Sequence, residues 1–220
     1  MNPQAADRMP ASYRPSVLLN VPYDPSFSNL FLAYISGLTC LGLRPRAALE
    51  IQGGKRRLNR IVDLIDICEY SIHDLSPVSA GGGLPRLNMS FELGLTVARK
   101  LTASEQHWFV FESQRSRLNT TLSDLAGTDG YFHGGEPVGV SRELGAAFER
   151  DNATVNDMQR IFDLLLRGLP RIENDSGINS PFSPRVFRQL CVLADSLSSE
   201  IDAAKRTRRS RKRSTKVAAS

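Results

Sequence analysis

Four short strand-like runs, at residues 16–21, 46–51, 70–75 and 107–111, are spaced by segments of helical periodicity. Between the first two, Phe27, Leu30, Phe31, Tyr34, Ile35, Leu38 and Leu41 recur every three or four positions. That spacing predicts an amphipathic helix over 26–41, with Ser26 as N-cap and Gly42 as its stop. Leu58, Ile61, Ile65 and Cys68 predict a second helix over 58–68, and a third is expected over 88–100. Strands that alternate with helices in this way form right-handed crossovers and a parallel sheet covered on both faces.

The expected fold class is therefore α/β, a flavodoxin-like doubly wound parallel sheet of order 2-1-3-4 with a possible fifth strand. C-terminal helices are expected beyond it. A helix is predicted over 118–125, a Gly-rich loop over 127–139, and helices over 143–150, 155–169 and 184–204, with a loop over 174–183. The chain then divides into a flexible arm (1–15), a flavodoxin-like domain (16–135), a helical C-terminal extension packed on it (136–204) and a disordered basic tail (205–220).

Of the residues, 41% are hydrophobic and 23% charged, so most of the chain can bury a core. No apolar run approaches the roughly 20 residues of a spanning helix, and no membrane span or secretory signal is expected. Three widely spaced cysteines, Cys40, Cys68 and Cys191, fit neither a disulfide framework nor a zinc site and point to a reducing cytoplasm. The net charge of +5 is uneven. Lys205–Lys216 holds eight basic residues, and without them 20 basic residues face 23 acidic ones, a net of −3. Such a segment can attract nucleic acid, an acidic partner or an anionic membrane face, or can simply be solvated.

In an open parallel sheet, ligands bind outside the carboxyl ends of the strands, where the strand order reverses. Here that point lies between strands one and three. Strand one delivers Asn20, Tyr23 and Asp24, and strand three delivers His73, Asp74 and Ser76. The third helix adds Asn88 and Glu92.

Glu92 has two readings. A capping box begun by Asn88 would place the acid at Phe91, so that motif does not explain Glu92. As an ionised carboxylate beside a pocket it can be a nucleophile or stabilise an oxocarbenium ion. Otherwise it complements the helix dipole or pairs with Arg86 or Arg99. Asp74 either binds a ribose hydroxyl or closes an Asx turn. Asn20 binds base or ribose, or is a turn residue before Pro22. Tyr23 stacks on a ring or packs.

Neither His73 nor His107 has a partner at metal-ligand spacing, so no metal is expected. No Gly-x-Gly-x-x-Gly follows the first strand, Gly53-Gly54-Lys55 is not a P-loop, and no Gly-x-Ser-x-Gly elbow occurs. Gly81-Gly82-Gly83 is either a lid or a plain flexible loop.

The segment His73-Asp74-Leu75-Ser76, followed by Asn88-Met89-Ser90-Phe91-Glu92-Leu93-Gly94-Leu95-Thr96-Val97-Ala98, resembles the nucleoside 2-deoxyribosyltransferase pattern. That pattern is a strand-end Asp, then Asn-x-x-x-Glu-x-Gly-x-x-x-Ala. Ser90-Phe91-Glu92-Leu93 is also similar to the run around the catalytic glutamate of Toll/interleukin-1-receptor (TIR) domains, although Ser90-Phe91 replaces their Trp-Cys. Asn20-Val21-Pro22-Tyr23-Asp24 resembles the first-strand exit of bacterial TIR-like proteins. The resemblance covers roughly residues 16–112. It implies cleavage or transfer at an N-glycosidic bond, with Glu92 as nucleophile or oxocarbenium stabiliser. Asp74 and Asn88 would hold the ribose or the glutamate, and Asn20 and Tyr23 would contact base or sugar. It further implies a nucleotide or nucleoside ligand, NAD included, as substrate with no separate cofactor, and a homo-oligomer.

Two other functions are compatible with the residues. One is a non-catalytic nucleotide-sensing or protein-interaction module on the same fold. The other is a nucleic-acid-associated protein that works through its basic tail, with strongly salt-dependent binding.

Overall fold

The computed structural model describes residues 13–50, 56–77, 88–102, 107–115 and 129–218. Its five described strands are β1 (Ser16–Asn20), β2 (Arg44–Arg46), β3 (Tyr70–Asp74), β4 (His107–Glu112) and β5 (Gly130–Phe132). They form one sheet of order β2-β1-β3-β4-β5 in which every pairing is parallel. This is the flavodoxin-like α/β arrangement, with β5 as the fifth strand. β5 lies within the segment expected to be a Gly-rich loop; at three residues it is too short to show an alternating pattern.

A 3-10 turn (Pro25–Phe27) leads from β1 into α1 (Ser28–Cys40). Asp24, not Ser26, caps this entry: its Oδ1 accepts from Ser26 N at 3.0 Å and from Ser26 Oγ at 2.7 Å. At the far end Gly42 takes φ +74, a conformation that favours glycine. The second strand occupies 44–46 rather than 46–51. After Arg46 the chain turns, because Glu50 accepts the Ala47 N–H through its side chain at 2.8 Å while its own N–H bonds Ala47 O at 3.0 Å.

α2 (Arg57–Ile67) and α3 (Asn88–Thr102) cover one face of the sheet. Leu18 packs there with Ile61, Leu64, Ile65 and Cys68, and Val110 packs with Leu93. The other face carries α1, and α1 is in turn covered by α4 (Pro137–Phe148), α5 (Val155–Ser176) and α6 (Pro184–Ala218). Val17 and Leu19 of β1 therefore share one core with Phe31 and Leu38 of α1, Leu144 of α4, Ile161 of α5 and Phe187 of α6. Each such fully buried side chain stabilises the fold by roughly 1.5–3 kcal/mol.

α1 is not half-exposed as its periodicity suggests. Every residue from Leu30 to Cys40 is buried, because the C-terminal helices close over its outer face. Its small residues allow that approach: a Cβ on Gly37 would lie 2.5 Å from Leu144 Cδ1.

The C-terminal helices are longer than their patterns imply. α4 begins at Pro137 rather than at 143, with Pro137 at a helix-starting position. α5 runs through Pro170, where its periodicity predicts an end; Pro170 is exposed, and a Thr154–Asp157 capping box anchors the start. α6 continues past Ala204 into the segment expected to be disordered. No Pro or Gly interrupts it, Lys and Arg are good helix formers, and Lys205 bonds Asp157 at 2.7 Å and Asn152 O at 3.2 Å. The predicted helix over 118–125 and the Gly81–Gly83 loop lie outside the described residues. No described helix is long and apolar enough to cross a membrane, and none of the three cysteines is in a disulfide.

Candidate active site

The strand register sets which residues meet at the carboxyl edge. Asn20 of β1 pairs with His73 of β3, and Asp74 pairs with Phe111 of β4. Neighbouring residues along a strand point to opposite faces. Asn20 and His73 therefore face α3, while Asp74 faces α1. The residues expected to form one cluster divide into two.

On the α1 face Asp74 is fully buried. Its Oδ2 accepts the Tyr34 hydroxyl at 2.7 Å and stands 3.1 Å from His133 Nε2, and its Oδ1 accepts the Ser76 N–H at 2.9 Å. His133 Nδ1 accepts the Gly135 N–H at 3.1 Å, so its proton sits on Nε2 and points at Asp74. Ser76 Oγ completes the group at 3.2 Å from His133 Nε2. Asp74 thus closes an Asx turn and ties β3 to α1 and to the end of β5. At 0% exposure its described hydrogen bonds are all internal. Tyr34 and His133 had not been singled out as partners; only the sheet order brings them to the end of β3.

On the α3 face Asn20 is 4% exposed. Its Nδ2 donates to Met89 O at 3.3 Å, which fixes the orientation of the amide because a carbonyl can only accept. The same Nδ2 lies 2.8 Å from His73 Nδ1, which must then accept, so the His73 proton is on Nε2, facing Ser71 Oγ at 3.1 Å. Burial pushes the His73 imidazole down to about 3. The Asn20 Oδ1 has no hydrogen-bond partner. A buried amide oxygen without a donor is a costly arrangement that a bound hydroxyl or amine would relieve.

Glu92 lies one helical turn beyond Met89, on the same side of α3. It is 6% exposed. Its Oε1 stands 3.6 Å from the Arg57 guanidinium at the start of α2. Burial raises the Glu92 carboxyl above its ordinary value, and Arg57 partly opposes that. Of the two arginines expected as alternative partners, Arg99 pairs with Asp66, and Arg86 lies outside the described residues. The helical periodicity over 58–68 does not mark Arg57 as a site residue. The signal that finds it is topological, since a helix that follows a parallel strand begins at the carboxyl edge.

The Arg57 guanidinium also stands 5.8 Å from the centroid of the Tyr23 ring. The Tyr23 phenol is pushed up by burial and then by the negative charge of Glu92, with Arg57 opposing. Its ring packs on Phe31 and Phe182, at 6.4 and 5.7 Å between centroids. Tyr23, Arg57 and Glu92 therefore form one electrostatic group. Asp24 is engaged in capping the turn, and Asn88 is exposed at the start of α3.

No protein-family model matches the chain. No curated protein matches it. Among solved structures it is similar to a 2-desoxiribosyltransferase from Leishmania mexicana, at 18% identity and a TM-score of 0.37, over 50% of this chain and 71% of that one.

Proposed function

We propose that the α3 side of the sheet's carboxyl edge binds a nucleoside or nucleotide and cleaves or transfers at its N-glycosidic bond, with Glu92 as the reacting carboxylate. The observation that carries this reading is Glu92 itself. It is a buried carboxyl at the switch point of the sheet, held by a half-exposed cation rather than by a closed hydrogen-bond network. Asp74, saturated by Tyr34, His133 and Ser76, lacks that freedom.

The chemistry asks little else of the chain. The C–N bond breaks and its electron pair leaves with the base. The Glu92 carboxylate bonds to C1′ or stabilises the oxocarbenium ion there. In hydrolysis, water then supplies a hydroxyl to C1′, a Glu92–C1′ bond, where formed, breaks with its electron pair returning to the carboxylate, and the proton of the water goes to the departing base or to solvent. In transfer, a second base takes the place of water. Asn20 offers its free Oδ1 to a sugar hydroxyl, Tyr23 lines the entrance, and Asn88, Ser76 and Asp24 stand at the rim or behind it. Assembly into a homo-oligomer is part of this proposal.

The test is base release. Wild type and Glu92→Gln are incubated with NAD, deoxynucleosides and nucleotides at low and high protein concentration. Release of nicotinamide or a free base by wild type alone is expected. No release from any substrate, with both proteins folded, would favour a non-catalytic nucleotide-sensing or interaction module.

A further inference from the structure

α2 begins with two cations where helix physics prefers anions. Arg56 is its N-cap, Arg57 its first residue, and its first turn holds no acid. The Arg56 side chain makes no capping hydrogen bond. The partial positive charge of a helix N-terminus repels arginines, so this arrangement opposes the dipole unless an anion sits there. Glu92 is a poor candidate for that anion. Its contact with Arg57, at 3.6 Å, is longer than the 2.7–2.9 Å typical of a charge-assisted hydrogen bond, and it is buried while Arg57 is 51% exposed. Among the described residues, Glu92 is the one carboxylate that stands within 4 Å of the Arg57 guanidinium, which carries five donors.

A second, independent feature points to the same ligand. Asn20 is 96% buried, its 4% exposure leaving almost none of it in water, and its Oδ1 has no donor. Its amide is pinned to Met89 O, one turn before Glu92 on the same side of α3. Together these groups suit a ligand that brings a hydroxyl or amine to Asn20 and an anion to Arg57.

We infer that Arg57, with the N-terminus of α2, is the phosphate-binding element of this site, and that its ligand is a nucleoside phosphate rather than a free nucleoside. The inference rests on the proposed nucleoside site around Glu92. In it a ribose hydroxyl donates to Asn20 Oδ1, the glycosidic carbon lies toward Glu92, and the phosphate faces Arg57. Arg57 is half-exposed and stands clear of the core, so it can turn to the phosphate without repacking the fold.

The test uses ligands that have no C–N glycosidic bond to break. Pseudouridine and formycin A are compared with their 5′-monophosphates by calorimetric titration of the full chain. Wild type, Arg57→Gln and Arg57→Lys are measured. Wild type is expected to bind a monophosphate at least roughly tenfold more tightly than its nucleoside, the equivalent of one charge-assisted contact. Arg57→Gln should erase that ratio, and Arg57→Lys should restore part of it. Equal binding of the two ligands by wild type, or a ratio that survives Arg57→Gln, overturns the inference and leaves the glycosidic reading standing. Phosphate preference without base release from any N-nucleoside or nucleotide does the reverse. No binding of either ligand at millimolar concentration removes both.

Discussion

Asp74 at the end of β3 and His133 just beyond β5 meet at 3.1 Å across the intervening β4. The contact is fully buried on both sides and draws in Tyr34 from α1. It ties the end of β3 to α1 and to the chain just beyond β5.

Asp74→Ala would strand the Tyr34 hydroxyl, the His133 Nε2–H and the Ser76 N–H without their acceptor. Each orphaned buried group costs about 1–3 kcal/mol, so the expected loss is about 3 kcal/mol or more. Tyr34→Phe removes one bond and leaves Asp74 two partners, and should cost about 1–2 kcal/mol. Urea denaturation monitored by circular dichroism measures both. A loss under about 1 kcal/mol for Asp74→Ala would contradict the network.

Glu92 is held above its ordinary value by burial, so the folded state favours its neutral form. Its contribution to stability is present at acid pH and is lost as pH rises through the folded value. Glu92→Gln, which cannot ionise, should therefore be more stable than wild type at pH 7–8. The gap should close as pH falls toward the unfolded carboxylate range. Melting temperatures across pH 4 to 8 test this. A gap that widens toward acid pH would reverse the sign.

His73 behaves in the opposite sense. Its folded value is lowered to about 3, so between that and its unfolded value near 6.5 only the unfolded chain takes the proton. This residue should reduce stability progressively as pH falls through that window. Imidazole nitrogen spectra should show an Nε2–H tautomer that does not titrate above pH 5. An imidazolium signal from folded protein at pH 5.5 would refute the Asn20–His73–Ser71 arrangement.

Gly139 and Gly37 should respond differently to alanine. A Cβ at Gly139 would fall 1.9 Å from the carbonyl oxygen of His133, a backbone atom that cannot move without displacing β5. At Gly37 the 2.5 Å neighbour is the tip of the Leu144 side chain, which can rotate. We expect Gly139→Ala to cost about 3 kcal/mol or more and Gly37→Ala about 1 kcal/mol. Equal losses in thermal or urea unfolding would show that α4 does not lie so close to His133.

The alternation of strand-like and helical runs was enough to yield a parallel sheet of order 2-1-3-4 and to place Asn20, Asp74 and Glu92 at its carboxyl edge. Those are local properties, set by period, by Pro22 after β1 and by Gly42 after α1. Tertiary structure decided what the chain's own pattern could not express. Short β5 and the extended α5 and α6 depend on packing against distant elements, which can override a three-residue strand or a Pro170. The split between Asp74 and Glu92 follows from the strand pleat, visible only once Asn20 is in register with His73. Arg57 joins the site because α2 starts where β1 ends, a proximity in space between residues far apart in sequence. Sequence determined which side chains reach the edge of the sheet; packing decided that Asp74 is saturated there, while Asn20 keeps an unpaired amide oxygen and Glu92 a single half-exposed cation.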